Sequence, residues 1–193
     1  KSAMARRRVT VALSGDGGTL FVVNLLPAQA ATAPVLAAVV TALDVASGRR
    51  SVVLRDEVAD PDEILVDLAT GAPIGARFSS GVPHSAWFDA GHPAALTRRS
   101  LEAAFPGERV SLRSATTDGR LQLVHVSSDR NPGDYYLFDT EAKTAELLVS
   151  AAEWLHPDEM APMRPITLTA RDGLVLHGYL TVPKGSDGKN LPM

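Results

Sequence analysis

The sequence contains no cysteine among its 193 residues. Disulfide bonds, zinc sites with thiolate ligands and thiol nucleophiles are therefore excluded throughout the chain. Because a protein without disulfides fits a reducing compartment, we expect a cytoplasmic location. The chain opens at Lys1 and not at a methionine, so we expect its true N-terminus to be missing, and a periplasmic location remains open as the alternative.

The sequence also has few aromatic side chains, no excess of positive charge and no long hydrophobic run. Phe, Trp and Tyr make up 5% of the residues and the formal net charge is −3. A nucleic-acid binder needs a basic surface, so we expect no nucleic-acid partner. The apolar stretch 35–45 is interrupted by Thr41 and Asp44 and is far shorter than the roughly 20 residues of a membrane span. We therefore expect no membrane partner.

Catalytic and metal-binding motifs are absent from the sequence. No Gly-x-Ser-x-Gly or His-Gly-Gly motif occurs, so no set of nucleophile, base and oxyanion donors is recognisable. The acidic residues of 56–63 and 158–159 do not follow the spacing of a calcium loop. The spacing of the histidines is not that of metal ligands; the five are His84, His92, His125, His156 and His177. We interpret His125 and His177 as residues of strands. We predict no catalytic residue, no metal and no other cofactor.

The dominant pattern is of short strands separated by glycine turns. Alternating apolar residues predict strands over 8–13 and 19–26, joined by the turn Ser14–Gly18, and the same pattern returns in 110–114 and 121–127. Only 93–105 carries the spacing of an amphipathic helix. The later strands read as a four-stranded antiparallel meander that ends near Ser150.

This pattern repeats along the chain. The turns Asp16-Gly17 and Asp118-Gly119 lie 102 residues apart, about two repeats of roughly 40 to 50 residues. One such sheet cannot bury both of its faces, whereas stacking against neighbouring sheets can. The sequence therefore predicts an all-β fold, a partial β-propeller of about three blades, each a four-stranded antiparallel sheet.

The pattern changes in a proline-rich connector over 154–165, after which a hairpin is predicted over 166–182. Met163-Arg164-Pro165-Ile166, 171–174 and 177–185 resemble the propeller-to-hydrolase junction of the prolyl oligopeptidase family of serine peptidases (S9), in its acylaminoacyl-peptidase and dipeptidyl-peptidase-like branch. Residues 127–139 are similar to a last-blade segment of the same family. The resemblance extends over 60–193 and is strongest from Phe105 onward.

The resemblance implies a division of the chain into two parts. Residues 1–162 would be the C-terminal part of a β-propeller, and 163–193 the N-terminal strands of a truncated α/β-hydrolase domain. The Gly-x-Ser-x-Gly elbow, Asp and His would lie past Met193. The chain would then be an inactive fragment of a serine peptidase that hydrolyses short peptides, with the propeller gating access and a peptide as the partner. The oligomeric state stays open.

One candidate substrate-binding residue follows from the family's architecture. The segment Asp129–Gly133 is predicted to be a loop of the last blade, and in this family such loops face the catalytic cavity. Arg130 would hold a substrate carbonyl or carboxylate by a forked hydrogen bond. The alternative is an exposed arginine that pairs locally with Asp129 or Asp134.

Two other functions are compatible with the sequence. A stand-alone propeller-like binding module would complete its ring by oligomerisation, because open edge strands seek partners. A part of an esterase with the same architecture would share the strands and differ in its substrate. Size-exclusion chromatography and a substrate panel distinguish these alternatives.

Overall fold

The structure is a computed structural model that describes residues 11–24, 39–56, 58–79 and 81–191. The contacts divide the chain into two compact units, Lys1–Leu96 and Thr97–Met193. Residues 8–10 of the first predicted strand and 25–26 of the second lie outside the described residues.

The first sheet of the first unit is a meander in which sequence neighbours pair antiparallel. Its strand order is β1-β2-β3-β4. The bounds are β1 Val11–Leu13, β2 Thr19–Asn24, β3 Val39–Asp44 and β4 Arg50–Arg55. The Gly17 turn between β1 and β2 has φ 72°, a conformation that glycine adopts without steric cost.

The second sheet of this unit has the order β5-β6-β7. Its bounds are β5 Pro61–Val66, β6 Pro73–Phe78 and β7 His84–Trp87. All six residues of β6 are buried. They include Arg77, whose side chain is 3% exposed and whose Nη1 lies 3.3 Å from Glu63 Oε2. In the described part of the chain this sheet has three strands, one fewer than the four-stranded repeat predicts.

The two sheets of the first unit share one hydrophobic core. Val40 of the first sheet and Ile64, Ala76 and Phe78 of the second are buried together. Phe21 of β2 stacks on Phe88, just after β7, with ring centroids 4.5 Å apart. Face-to-face packing therefore buries surfaces that neither sheet covers alone, as expected for stacked blades.

The predicted helix is present as α1, Pro93–Ala104. Proline at its first position is compatible with a helix, because the first N–H has no intrahelical partner. The boundary of the two units falls inside α1, after Leu96. Leu101 belongs to the core of the second unit.

The second unit contains the four-stranded meander that the sequence predicts, in the order β11-β10-β9-β8. Its bounds are β8 Arg109–Ala115, β9 Leu121–Ser127, β10 Asp134–Asp139 and β11 Thr144–Ser150. Val110, Val124, Val126 and Phe138 pack with Leu101 of α1 on one face. The opposite face carries Arg113 and His125, whose side chains are hydrogen-bonded to each other.

A two-stranded hairpin follows, formed by β12 Met163–Thr169 and β13 Val175–Thr181. A short 3-10 turn, Pro157–Glu159, precedes it, and the Lys184 ammonium donates to the carbonyl of Asp158. Both faces of the hairpin are mostly exposed. Its apolar side chains thus have little packing of their own.

Three of the strand connections share one turn with the pattern Asp-x-x-x-Gly or Asp-x-x-x-Lys. The N–H of the fifth residue donates to the carbonyl of the aspartate, as from Gly48 to Asp44 at 2.9 Å and from Gly71 to Asp67 at 2.8 Å. Lys143 donates to Asp139 in the same way at 2.9 Å. One turn geometry therefore recurs in each of the three sheets that precede the hairpin.

Candidate functional site

The candidate site is the loop of residues 128–133, which joins β9 to β10 and carries Arg130. The register pairs Arg109 with Ser127 and Asp134 with Val126. The loop therefore lies at the end of the sheet where β8 begins and β9 ends. The sequence predicts a turn here because Asn-Pro-Gly disfavours a continuous strand.

Asn131 organises the loop from inside. It is 8% exposed, and its Oδ1 accepts the N–H of Gly133 at 2.9 Å. Its Nδ2 donates to Asp134 Oδ2 at 2.9 Å and to Glu108 Oε2 at 3.3 Å. A buried amide with these partners holds the loop on the sheet and would be costly to leave unpaired.

Ser128 and Gly133 hold the two ends of the loop. The Ser128 N–H donates to the carbonyl of Asn131 at 2.8 Å. The Ser128 Oγ accepts the N–H of Arg130 at 3.2 Å and the N–H of Asn131 at 3.1 Å. The Gly133 carbonyl accepts the N–H of Ala151 at 2.7 Å. These local bonds give the backbone on both sides of Arg130 a defined conformation.

Arg130 itself is exposed. In the described part of the chain its guanidinium has no hydrogen-bond or ion-pair partner, and the two neighbouring carboxylates have other partners: Asp129 accepts the backbone N–H of Met163 and Asp134 accepts from Asn131. The local pairing considered as the alternative is therefore not formed among the described residues. Five N–H donors remain available on a rigid loop.

His125 lies beside the loop on β9. Arg113 Nη2 is 3.2 Å from His125 Nδ1, and because arginine only donates, Nδ1 accepts and the proton of the neutral imidazole is on Nε2. The ring lies against Tyr135 with centroids 4.7 Å apart, and a Cβ at Gly133 would overlap Nε2. Burial, followed by the charges of Arg113 and Arg109, lowers the pKa of His125, with Asp134 opposing them.

The other side of the loop is acidic. Burial, with the charges of Asp134 and Glu108, raises the pKa of Tyr136. The Tyr136 ring packs against Phe105 with centroids 5.0 Å apart. Tyr136 is therefore a neutral, structural phenol. The loop thus carries the exposed Arg130 guanidinium on its outside and, on its inside, hydrogen bonds between the Asn131 amide and the carboxylates of Asp134 and Glu108.

The arrangement around Arg130 is suited to binding a polar ligand. Among the described residues no group of three or more His, Cys, Asp or Glu side chains is placed to hold a metal ion. In the same part of the chain no helix is long and apolar enough to cross a membrane. Arg130 can supply a forked pair of donors to a carbonyl or carboxylate.

Sequence reasoning named Arg130 as a candidate but did not point to the residues that hold its loop in place. Asn131, Asp129 and Glu108 act through bonds to distant or buried groups. A signal was available for Asn131 alone, since Asn in an Asn-Pro-Gly turn bonds to its own backbone. The partner of Asp129 lies 34 residues further along, where local pattern gives no indication.

Comparison with known proteins supports the resemblance found in the sequence. The chain is 34% identical over 149 residues to dipeptidyl aminopeptidase BIII of Pseudoxanthomonas mexicana, which covers 77% of this chain. The match spans 21% of the length of that relative. No family model matches the chain.

Solved structures align with most of this chain. A candidate dipeptidyl aminopeptidase IV from Bacteroides ovatus aligns with 95% of this chain and 28% of its own, with a TM-score of 0.50 and 14% identity. A structure from work on two prolyl endopeptidases aligns with 92% of this chain and 31% of its own, with a TM-score of 0.48 and 12% identity.

The class of protein follows from the sheets and the comparisons together. The chain is all-β, with antiparallel sheets of the propeller type followed by a two-stranded hairpin. As its sequence predicts, the chain resembles the prolyl oligopeptidase family of serine peptidases, and it spans about a fifth of the curated relative that it matches.

Proposed function

We propose that this chain forms propeller blades and the hydrolase junction of a serine peptidase that hydrolyses short peptides. The observation that carries the proposal is the 34% identity over 149 residues to a dipeptidyl aminopeptidase. The nucleophile, base and orienting carboxylate would be supplied by sequence outside these 193 residues, where no Gly-x-Ser-x-Gly motif occurs.

In this proposal the propeller part comprises 1–162 and the hydrolase part begins at 163. The hairpin β12–β13 supports that division, because it forms a sheet of its own that starts at Met163. The propeller would admit short, unfolded peptides and exclude folded proteins. The proposed partner is a peptide, and the net charge of −3 argues against a nucleic acid.

The exposed apolar strands support a role within a larger protein. Leu147, Leu148 and Val149 of β11 are each about half exposed. Leu174, Val175 and Leu176 of the hairpin are similarly exposed. Adjacent apolar residues of this kind mark surfaces that are covered by another part or partner.

Arg130 is the proposed substrate-binding residue. Its guanidinium is exposed, has no partner in the described part of the chain and projects from a loop held by Asn131 and Ser128. A rigid support lowers the entropy lost when a peptide carbonyl or carboxylate is bound. The contribution would be to binding and orientation, not to bond cleavage.

The test uses the intact peptidase and a chromogenic dipeptide amide. In Arg130→Ala we expect KM to rise about tenfold, the factor equivalent to 1.4 kcal/mol, with kcat little changed. Arg130→Lys keeps the charge but loses the fork, so its KM should lie between the two. Arg171→Ala, in the exposed turn of the hairpin, is the matched control. Unchanged kinetics in Arg130→Ala would remove the proposed role of this residue.

The esterase and the stand-alone binding module can be distinguished from a peptidase with the intact protein and the 193-residue chain. Ester substrates turned over without any peptide hydrolysis would favour an esterase. A single closed oligomer of the 193-residue chain in light scattering would favour a stand-alone module, whose exposed β11 would then pair with another copy. A peptidase fragment should give neither result, and the chain alone should not turn over the dipeptide amide.

A further inference from the structure

The Asp129 side chain makes a bond that joins two separate sheets of the second unit. Its Oδ2 accepts the backbone N–H of Met163, 34 residues later and at the first position of β12. We propose that Asp129 is a positioning residue that locks the loop of residues 128–133 to the hairpin β12–β13. Its effect on substrate rests on the proposed function of Arg130; the lock itself is a property of this chain.

The strand geometry explains why Met163 has a donor available. Met163 and Pro165 are two residues apart, so their nitrogens face the same edge of β12. The Met163 N–H is bonded to Asp129 and so does not point to β13. The nitrogen of Pro165 lies on the same edge, where pairing with β13 needs no N–H donor. This edge of β12 therefore faces the loop, and Asp129 satisfies its first N–H.

The rest of the loop is bound to its own sheet. Asn131 contacts Glu108 and Asp134, and the Gly133 carbonyl accepts from Ala151. Among the described residues of the loop, Asp129 is the one bonded to the hairpin. A displacement of the hairpin would thus act on the loop through this hydrogen bond.

Arg130 is next to this connection in the sequence. Its N–H is held by Ser128 Oγ at 3.2 Å, while the carboxylate of the preceding residue is engaged by Met163. The carboxylate is therefore directed to the hairpin and does not pair with the guanidinium. Asp129 thereby does two things: it anchors the loop, and it leaves Arg130 available for a ligand.

Hydrogen exchange of the 193-residue chain tests the lock without reference to catalysis. In Asp129→Ala the amide of Met163 should exchange about tenfold faster, whereas amides of β9 should keep their protection. Asp129→Asn retains an acceptor oxygen and should preserve protection at Met163. Asp172→Ala, which removes a similar carboxylate bond to the N–H of Leu174 at 3.0 Å, is the control and should leave Met163 unchanged.

Two results would overturn the lock. One is equal exchange at Met163 in Asp129→Ala and the parent chain. The other is equal loss of protection in Asp129→Asn and Asp129→Ala, because the charge and not the acceptor would then be responsible. Loss of protection throughout β9 in Asp129→Ala would indicate unfolding, and Asp129→Asn then decides alone.

Kinetics of the intact peptidase separate this inference from the proposed function. If both hold, Asp129→Ala raises KM as Arg130→Ala does, Asp129→Asn restores it, and the double variant is no worse than Arg130→Ala. An effect of Arg130→Ala without one of Asp129→Ala would reject the positioning role. No effect of either would reject the role of Arg130, while the exchange experiment still decides the lock.

Discussion

Replacing Lys143 by glycine should stabilise the second unit. Lys143 has φ 57° in the turn between β10 and β11, a region that an L-residue occupies at a cost. The equivalent positions of the other two Asp-x-x-x-Gly turns are Gly48 with φ 69° and Gly71 with φ 72°. All three N–H groups donate to the carbonyl of the aspartate four residues earlier. Lys143→Gly therefore changes the residue and keeps the turn.

The magnitude follows from two opposing conformational terms. The left-handed region costs an L-residue roughly 1–2 kcal/mol, and this cost is removed in Lys143→Gly. Glycine loses more backbone freedom on folding, which returns about 0.5–1 kcal/mol. The middle of the two ranges gives an expected gain in the free energy of unfolding of about 0.75 kcal/mol.

Urea unfolding followed by far-ultraviolet circular dichroism measures this gain. The midpoint should rise in Lys143→Gly with the m-value unchanged. Lys143→Ala removes the charge and retains the left-handed strain, so it should stay close to the parent chain. Gly48→Lys is the reverse exchange, at a site where a Cβ meets no atom within 4 Å, and should lower stability. A neutral or destabilising Lys143→Gly, or a neutral Gly48→Lys, would refute the reasoning.

Three further predictions concern the cores and the loop. Gly133→Ala should destabilise the second unit by about 1–3 kcal/mol, since a Cβ would overlap His125. In thermal unfolding, the double variant with His125→Ala should recover part of this loss. Additive losses of the two variants would contradict the clash. Burial and Arg113 lower the pKa of His125, so the folded state binds fewer protons than the unfolded state just below the ordinary value of 6.5. The free energy of unfolding that depends on neutral His125 is fully present above pH 6.5 and is lost as the pH falls from there through the lower pKa of the folded state. NMR titration should find a higher His125 pKa in Arg113→Gln, and an unmoved pKa would show that the Arg113 charge does not contribute to the shift. Phe78→Ala should cost about 3–5 kcal/mol in chemical unfolding, because Phe78 is 1% exposed; a loss below about 1 kcal/mol would show that the site collapses.

The strands and turns were largely predictable because their signals are local. The β9 bounds, Leu121–Ser127, agree with the sequence prediction. Alternation of side chains and glycine at positive φ are properties of a few consecutive residues, and they do not depend on the rest of the fold. The four-stranded meander of the second unit is confirmed for the same reason.

Element ends were less predictable. Strand β12 begins at Met163, three residues before the predicted start at Ile166, because pairing with β13 continues across Arg164 and Pro165. A proline usually argues against a central strand. It is accommodated here because its nitrogen faces the edge that β13 does not use.

By itself, the sequence determined the all-β class, the alternation of strands and turns, and the resemblance to the prolyl oligopeptidase family. Those features depend on neighbouring residues and on recognisable order. Tertiary structure decided that Asp129 binds Met163, that Asn131 joins Glu108 to Asp134, and that Arg130 is left without a local partner among the described residues. These outcomes depend on which distant groups folding brings within hydrogen-bond distance, and no short stretch of sequence contains that information.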